Sequence, residues 1–234
     1  MEKAIYPLKN MRITQGYGEG THVNSYAIDD AGKTTGIETI YAPFTGTIKK
    51  IYTQDANEVW LESNEPLEYP DGTIDYMTVM FAHANDISNL YVGKKINQKE
   101  AFYQEGTSGN ATGNHCHIEC AKGKYQSPGW KANPEGYYVI INGKKPEECL
   151  WIEENTNIIN NNGYTFKKIS EKESTIEENI ENENNIEQLE QTVPEQEILQ
   201  TNDSKIETPK LIYTCQKDDL YGIYLKQGEQ LYIK

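Results

Sequence analysis

Arginine is almost missing from this chain. Of its 22 basic residues only Arg12 is an arginine, and the lysines form no basic stripe. Nothing is there to displace the counterions of a nucleic acid, so nucleic-acid binding is excluded on electrostatic grounds. Long apolar runs are missing too. No segment approaches the roughly 20 apolar residues that a membrane helix needs, so membrane insertion is not expected. The N-terminus reads MEKAIYPLKNMRITQGYG, where Pro7 and Lys9 break the little apolar sequence there is. The expectation is cytoplasmic synthesis without a signal peptide. Cysteine is scarce, and Cys116, Cys120, Cys149 and Cys215 do not suggest a disulfide framework. With 36% hydrophobic residues in a 234-residue chain, part of the sequence is expected to lie outside any core.

The net charge of −14 is unevenly spread. Residues 171–207 hold 12 acidic residues against Lys172 and Lys205, which leaves −4 for the rest. Around this stretch the composition divides the chain into three parts. Residues 1–167 carry short Ile-, Val-, Thr-, Tyr- and Phe-rich runs punctuated by Gly, Pro, Asn and Asp. Candidate strands are Glu38–Tyr41, Gly46–Thr53, Glu58–Ser63, Tyr76–His83, His115–Ala121 and Tyr137–Asn142. No long stretch shows a 3.6-residue period, and a mainly antiparallel β domain results. Residues 168–209 lack aromatics and read as an acidic low-complexity linker, with a short amphipathic helix as the alternative. Residues 210–234 read as three short strands, Leu211–Cys215, Leu220–Leu225 and Gln230–Ile233. That unit is too small for a core of its own and is expected to bind a surface or a second copy of itself.

The chain has four histidines, His22, His83, His115 and His117. A strand over 115–120 puts His115, His117 and Glu119 on one face and Cys116, Ile118 and Cys120 on the other. It also excludes a Cys116–Cys120 disulfide, since four strand steps of about 3.3 Å exceed bridging distance. Two imidazoles on one face suit a metal ligand plus a proton carrier, or two ligands. The plainer reading of such a pair alone is two solvent-facing polar residues. His22 followed by Asp29 supplies one nitrogen and one oxygen. With a histidine of the pair they make three protein ligands and an open fourth position, the mark of a catalytic zinc site. His83 ends the run Met77-Thr78-Val79-Met80-Phe81-Ala82, and taken alone it is equally a satisfied strand-end residue.

In order, His22…Asp29, Ile40-Tyr41-Ala42-Pro43…Gly46, Phe81-Ala82-His83, and Thr107-Ser108-Gly109…Thr112-Gly113-Asn114-His115-Cys116-His117-Ile118-Glu119 resemble the LytM/lysostaphin metallopeptidases, the M23 peptidases. The resemblance runs over roughly residues 12–122 and takes in every histidine. It implies a β-sandwich-like domain, Zn²⁺ bound by His22, Asp29 and His117, and catalytic roles for His83 and His115. The family commonly spaces its first two ligands four residues apart, and here they are seven apart, which keeps Asp30 as an alternative ligand. Cys116 stands where a bulkier apolar residue is usual. Tyr17, Tyr26 and Trp130 are candidate groove walls.

The function expected from this resemblance is hydrolysis of peptide bonds in bacterial peptidoglycan, with its cross-links or stem peptides as partners. The setting it suggests is a phage or prophage endolysin released by a holin, or a lysin carried on the particle. The alternatives are a non-catalytic LytM-like protein that binds wall or regulates a partner, and a structural β protein. An unpacked linker has a direct consequence, because a segment that buries little apolar surface cannot offset its ordering entropy. Limited proteolysis is expected to cut within 171–207 and leave a stable fragment ending between about residues 160 and 175. An intact chain under the same digestion would favour a helical linker.

Overall fold

The run Met77–Ala82 is apolar at all but one position, and every one of its residues is buried. The reason lies in its place, because it is a central strand of a sheet covered on both faces. The computed structural model describes residues 1–169, 210–214 and 230–233. The chain divides into two compact units, Met1–Glu183 and Asn184–Lys234.

In chain order the first unit has β1 (Asn10–Gln15), a 3-10 turn (Gly20–His22), β2 (Ile28–Asp30), β3 (Thr39–Tyr41), β4 (Gly46–Tyr52), β5 (Glu58–Ser63), β6 (Leu67–Glu68), β7 (Ile74–Asp75), β8 (Met77–Ala82), β9 (Lys95–Ile96) and β10 (Ala101–Gln104). These are followed by β11 (Cys116–Lys122), β12 (Trp130–Ala132), β13 (Tyr138–Ile140), β14 (Gly143–Lys144), a single helical turn α1 (Pro146–Cys149), β15 (Trp151–Ile152), β16 (Asn157–Asn160) and β17 (Lys167–Lys168). The main sheet runs β16-β1-β2-β11-β8-β5-β4-β9, with β14 also on β11. The domain is mainly β, as expected. Two of its ladders, β1–β16 and β15–β17, are parallel rather than antiparallel. A parallel pair needs a long connection, and β16 returns to β1 only after the rest of the sheet has been laid down.

Alternation gives the sheet two faces. On β8, Met77, Val79 and Phe81 join the larger core, together with Val59 and Leu61 from β5 and Cys116, Ile118 and Cys120 from β11. The two-stranded β3–β10 sheet covers this side through Ile40, Phe102 and Tyr103, giving the sandwich-like layering. Phe81 meets the Phe102 ring edge-on at 5.2 Å. On the opposite face Trp60, Met80, Ala82 and Ala121 form a smaller cluster with Ile140, flanked by Tyr52, Tyr125 and Trp130. The three described cysteines, Cys116, Cys120 and Cys149, are free and buried.

All six candidate strands are present, with ends displaced by a residue or two and Glu58–Ser63 unchanged. β1 is an addition. Its sequence Asn-Met-Arg-Ile-Thr-Gln offers only Met11 and Ile13 to the core, too short an alternation to stand out. The first unit is still in register at Lys168, and Ile169 is buried. In the second unit β18 (Lys210–Thr214) pairs antiparallel with β19 (Gln230–Ile233). The expected strand Leu220–Leu225 and the linker residues 170–209 lie outside the described residues. Among the described residues no helix is long and apolar enough to cross a membrane.

Phe81 has no exposed surface and contacts Phe102 and Tyr103 at the centre of the larger core. Phe81→Ala is expected to cost about 3–5 kcal/mol, the usual range for a buried phenylalanine cut back to a methyl group. Urea unfolding of the variant beside the parent measures it.

Candidate metal centre

The strand pairing brings the first two candidate ligands together. β2 and β11 run antiparallel with Asp29 directly opposite His117. Residues opposite each other share a face, and here that face is turned away from the larger core. His117 Nδ1 lies 3.1 Å from Asp29 Oδ1. The 3-10 turn after β1 delivers His22, almost fully buried, with its Nε2 3.4 Å from the same oxygen. The seven-residue spacing is taken up by this turn and the loop Val23–Ala27 before β2 begins. One ligand atom each from His22, Asp29 and His117 fall within 4.8 Å of one another.

The other two histidines stand beside this group. His115 precedes β11, held by a bridge to Gly106, and its Nε2 is 3.6 Å from Asp29 Oδ1. His83 follows β8, with its ring centroid 4.5 Å from that of His115 and 5.9 Å from that of His117. The His83 backbone has φ +84°, a left-handed conformation costly for a side chain of this kind. Its amide donates to Ala56 O, and its carbonyl accepts from Ser108 N. Gly106 must be glycine for the same corner to close, since a Cβ there would lie 2.2 Å from His83 O.

Hydrogen bonds fix which nitrogen of each ring is free; the tautomers follow from these partners. His22 Nδ1 faces Gly16 O at 3.2 Å, which leaves Nε2 with its lone pair. His117 Nε2 faces the Glu119 carboxylate at 3.2 Å, which leaves Nδ1 with its own. Two imidazole lone pairs and a carboxylate oxygen then point at one spot with no donor between them. Such a group asks for a proton or a cation. With a proton there, burial opposes the charge on His117, but hydrogen bonds to Asp29 and Glu119 prevail and raise its pKa to about 10. Burial likewise works against the Asp29 charge, and the two imidazoles outweigh it, holding the carboxyl well below the usual range. A divalent cation with nitrogen and oxygen preference fits the same donors.

No family model matches the chain. It is similar to morphogenesis protein 1 of Bacillus phage B103, at 30% identity over 170 residues. That match takes in 71% of this chain and 44% of the relative, so it spans less than half the relative's length. Among solved structures it is similar to a zinc-containing peptidase from Vibrio cholerae, with 19% identity, 52% of this chain and 37% of that one covered, and a TM-score of 0.40. A mutant catalytic domain of the prophage-encoded M23 protein EnpA from Enterococcus faecalis gives 20% identity, coverage of 58% and 93%, and a TM-score of 0.39. The lysostaphin catalytic domain from Staphylococcus simulans gives 16%, coverage of 60% and 86%, and 0.37.

Asp30 is not a ligand, which corrects the alternative raised by the spacing. Alternation along β2 turns it to the other face, where it is fully buried and accepts from Tyr6 Oη and the Arg12 and Gly32 amides. Of the candidate groove walls, Tyr17 stacks on Tyr164 at 4.6 Å and donates to Glu147, while Tyr26 stays exposed at its edge. Trp130 packs on Trp60 and Tyr52 over the smaller cluster.

Sequence reasoning assigned no part to Glu119, and the structure gives it one. It is buried, takes the Ile140 amide on Oε2 at 3.0 Å and holds His117 with Oε1. The signal was available, because a carboxylate two residues beyond a histidine on one strand shares its face. A carboxylate behind a ligating imidazole fixes ring and tautomer, and its loss typically weakens metal binding 10–100-fold. Glu119→Ala is expected to weaken zinc affinity by about that factor in a competitive chelator titration, with Glu119→Gln recovering part of it.

Proposed function

We propose that the protein is a zinc-dependent endopeptidase of the LytM/lysostaphin type that hydrolyses peptide bonds of bacterial peptidoglycan. The observation that carries this reading is the convergence of three acceptors, His22 Nε2, Asp29 Oδ1 and His117 Nδ1, with the free nitrogens of two more imidazoles beside them. Three ligands rather than four leave a position open for water or substrate. Zn²⁺ held there would supply a water with pKa lowered to about 7 and a Lewis acid for the scissile carbonyl.

The chain's own contribution is proton handling by His83 and His115. His83 Nδ1 faces Ser108 O at 2.7 Å, and His115 Nδ1 faces Gly113 O at 2.8 Å. Each ring in its neutral form therefore keeps Nε2 as the basic nitrogen. Burial lowers the His83 pKa to about 4, which keeps that ring neutral at working pH. A neutral Nε2 takes a proton from the attacking water, and once protonated it becomes a donor. It then hydrogen-bonds the carbonyl oxygen as negative charge grows there and delivers the proton to the leaving amine. An N–H for the oxyanion is thus acquired during the reaction, because the Nδ1 hydrogens are committed to backbone carbonyls.

The relative's origin in a Bacillus phage supports a phage setting for this activity.

Metal analysis beside a wall-clearing assay tests the assignment. His117→Ala is expected to hold well under one equivalent of zinc and to melt at a lower temperature, since binding to the native state is lost. His115→Ala and His83→Ala are expected to keep their zinc and lose roughly 10²–10³-fold in turnover. Zinc retained by His117→Ala and lost by His115→Ala would reverse the roles. Zinc-loaded parent protein that clears no wall and releases no peptides would leave a binding or regulatory protein.

A further inference from the structure

The face that carries the candidate metal centre extends beyond it, and its far flank holds a carboxylate with an unpartnered oxygen. β8 pairs with β11 so that Ala82 lies beside His117, and with β5 so that Phe81 lies beside Val59. The next residue on β5, Glu58, therefore stands beside Ala82, and it pairs on its other side with Tyr52 of β4. Val59 and Phe81 belong to the larger core, so Glu58 and Ala82 point to the opposite face. Tyr52, Glu58, Ala82, His117 and Asp29 thus form one row across four strand junctions. At about 4.8 Å per strand, Glu58 lies roughly 10 Å from His117, the span of about three extended peptide residues.

Glu58 is half-buried, and its Oε2 is sealed from solvent with no hydrogen-bond partner. Glu119 on the same face has partners on both oxygens. Lys50 is near enough to act on the Glu58 charge, yet it is turned elsewhere: Nζ donates to Pro128 O and lies over the Trp130 ring. Among the described residues Glu58 has no ion-pair partner. Burial raises its pKa to about 7 and outweighs the attraction of Lys50 and His117, neither of which forms an ion pair with it. A carboxylate in that condition binds a cation on its open side at little further desolvation cost.

We infer that Glu58 is a specificity residue, which binds a primary ammonium group on the substrate peptide close to the bond that is cut. The inference rests on reading the His22–Asp29–His117 face as the place of cleavage. The distance suits the flexible amine of a lysine-type side chain on a residue at or next to the scissile bond. Tyr52 lies at the same end and offers aromatic surface for the methylene stem.

Two probes test it, a wall stem peptide containing lysine and the same peptide with that amine acetylated. Their binding to the full chain is measured by titration, beside cleavage of wall fragments. The parent protein is expected to bind the free amine about tenfold or more tightly than the acetylated form. Glu58→Gln, close in shape and without the charge, is expected to bind both at the weaker level, with zinc content and melting temperature unchanged. Equal binding of the two probes by the parent, binding of neither, or a preference that survives in Glu58→Gln would each overturn the proposal. Should that variant fold poorly, the parent decides alone, since a preference due to an ion pair must shrink with rising salt. A preference seen without any cleavage removes the peptidase reading and leaves the ammonium subsite standing. Cleavage without a preference removes the subsite alone.

Discussion

The pairing of Asp29 with His117 across β2 and β11 is the constraint on which the rest of the site depends. Two strands that meet in this register place a carboxylate and an imidazole a hydrogen bond apart without any loop having to hold them. His22 then needs only to be brought to the same oxygen, and the short turn after β1 does so. The larger core fixes the register from below. Cys116 and Ile118 are fully buried on either side of His117, and Ile28 is buried beside Asp29. A slip of one residue in this ladder would drive both polar groups into that core and lift apolar side chains into the groove.

His83 and His115 are placed differently. Both stand just outside strands, and each is anchored through Nδ1 to a carbonyl of the segment Gly106–Asn114. That segment is tied down in turn by Ser108, whose amide donates to His83 O and whose hydroxyl reaches Asp55 O. The left-handed backbone at His83 persists because bonds on both its sides leave no relaxed alternative. Asp29 and His117 therefore sit on the sheet and His22 on the turn beside it, while His83 and His115 stand at its rim, anchored to a glycine-rich loop. This division suits a site where metal geometry has to stay constant and imidazoles must change their hydrogen bonds.

How much of this could be read from the sequence depended on whether a signal was local. The shared face of His115, His117 and Glu119 follows from a period of two, and the strand Glu58–Ser63 from its short run of apolar β-forming residues. β1 escaped notice because its two core residues, Met11 and Ile13, are separated by Arg12, and only pairing with β2 and β16 makes a strand of them. The parallel return of β16 depends on where the chain has already been. The position of Glu58 in one row with His117, two strands away, was hidden for the same reason, since it requires two ladder registers to be known together. The pattern of which residues would gather was implied by the family resemblance that the order of motifs carries, whereas the reach from β5 to β11 was not.

Asp29 and Asp30 show how little sequence distance matters beside orientation. They are neighbours on one strand of three residues, and alternation sends them to opposite faces. For Asp29 burial opposes ionisation, yet the imidazoles of His117 and His22 overcome it, and the carboxylate is held in the charged form a metal requires. For Asp30 burial prevails over the Tyr6 hydroxyl and the Gly32 and Arg12 amides, and its pKa rises to about 6. Glu38 and Glu105 are buried nearby, and the charge of Glu38 adds to that rise. Asp30 thus serves as an acceptor that ties the N-terminal segment to the loop after β2, and an acceptor of that kind works without a full charge. A metal-binding carboxylate needs one, and Asp29 is the residue placed where the imidazoles of His117 and His22 can hold it.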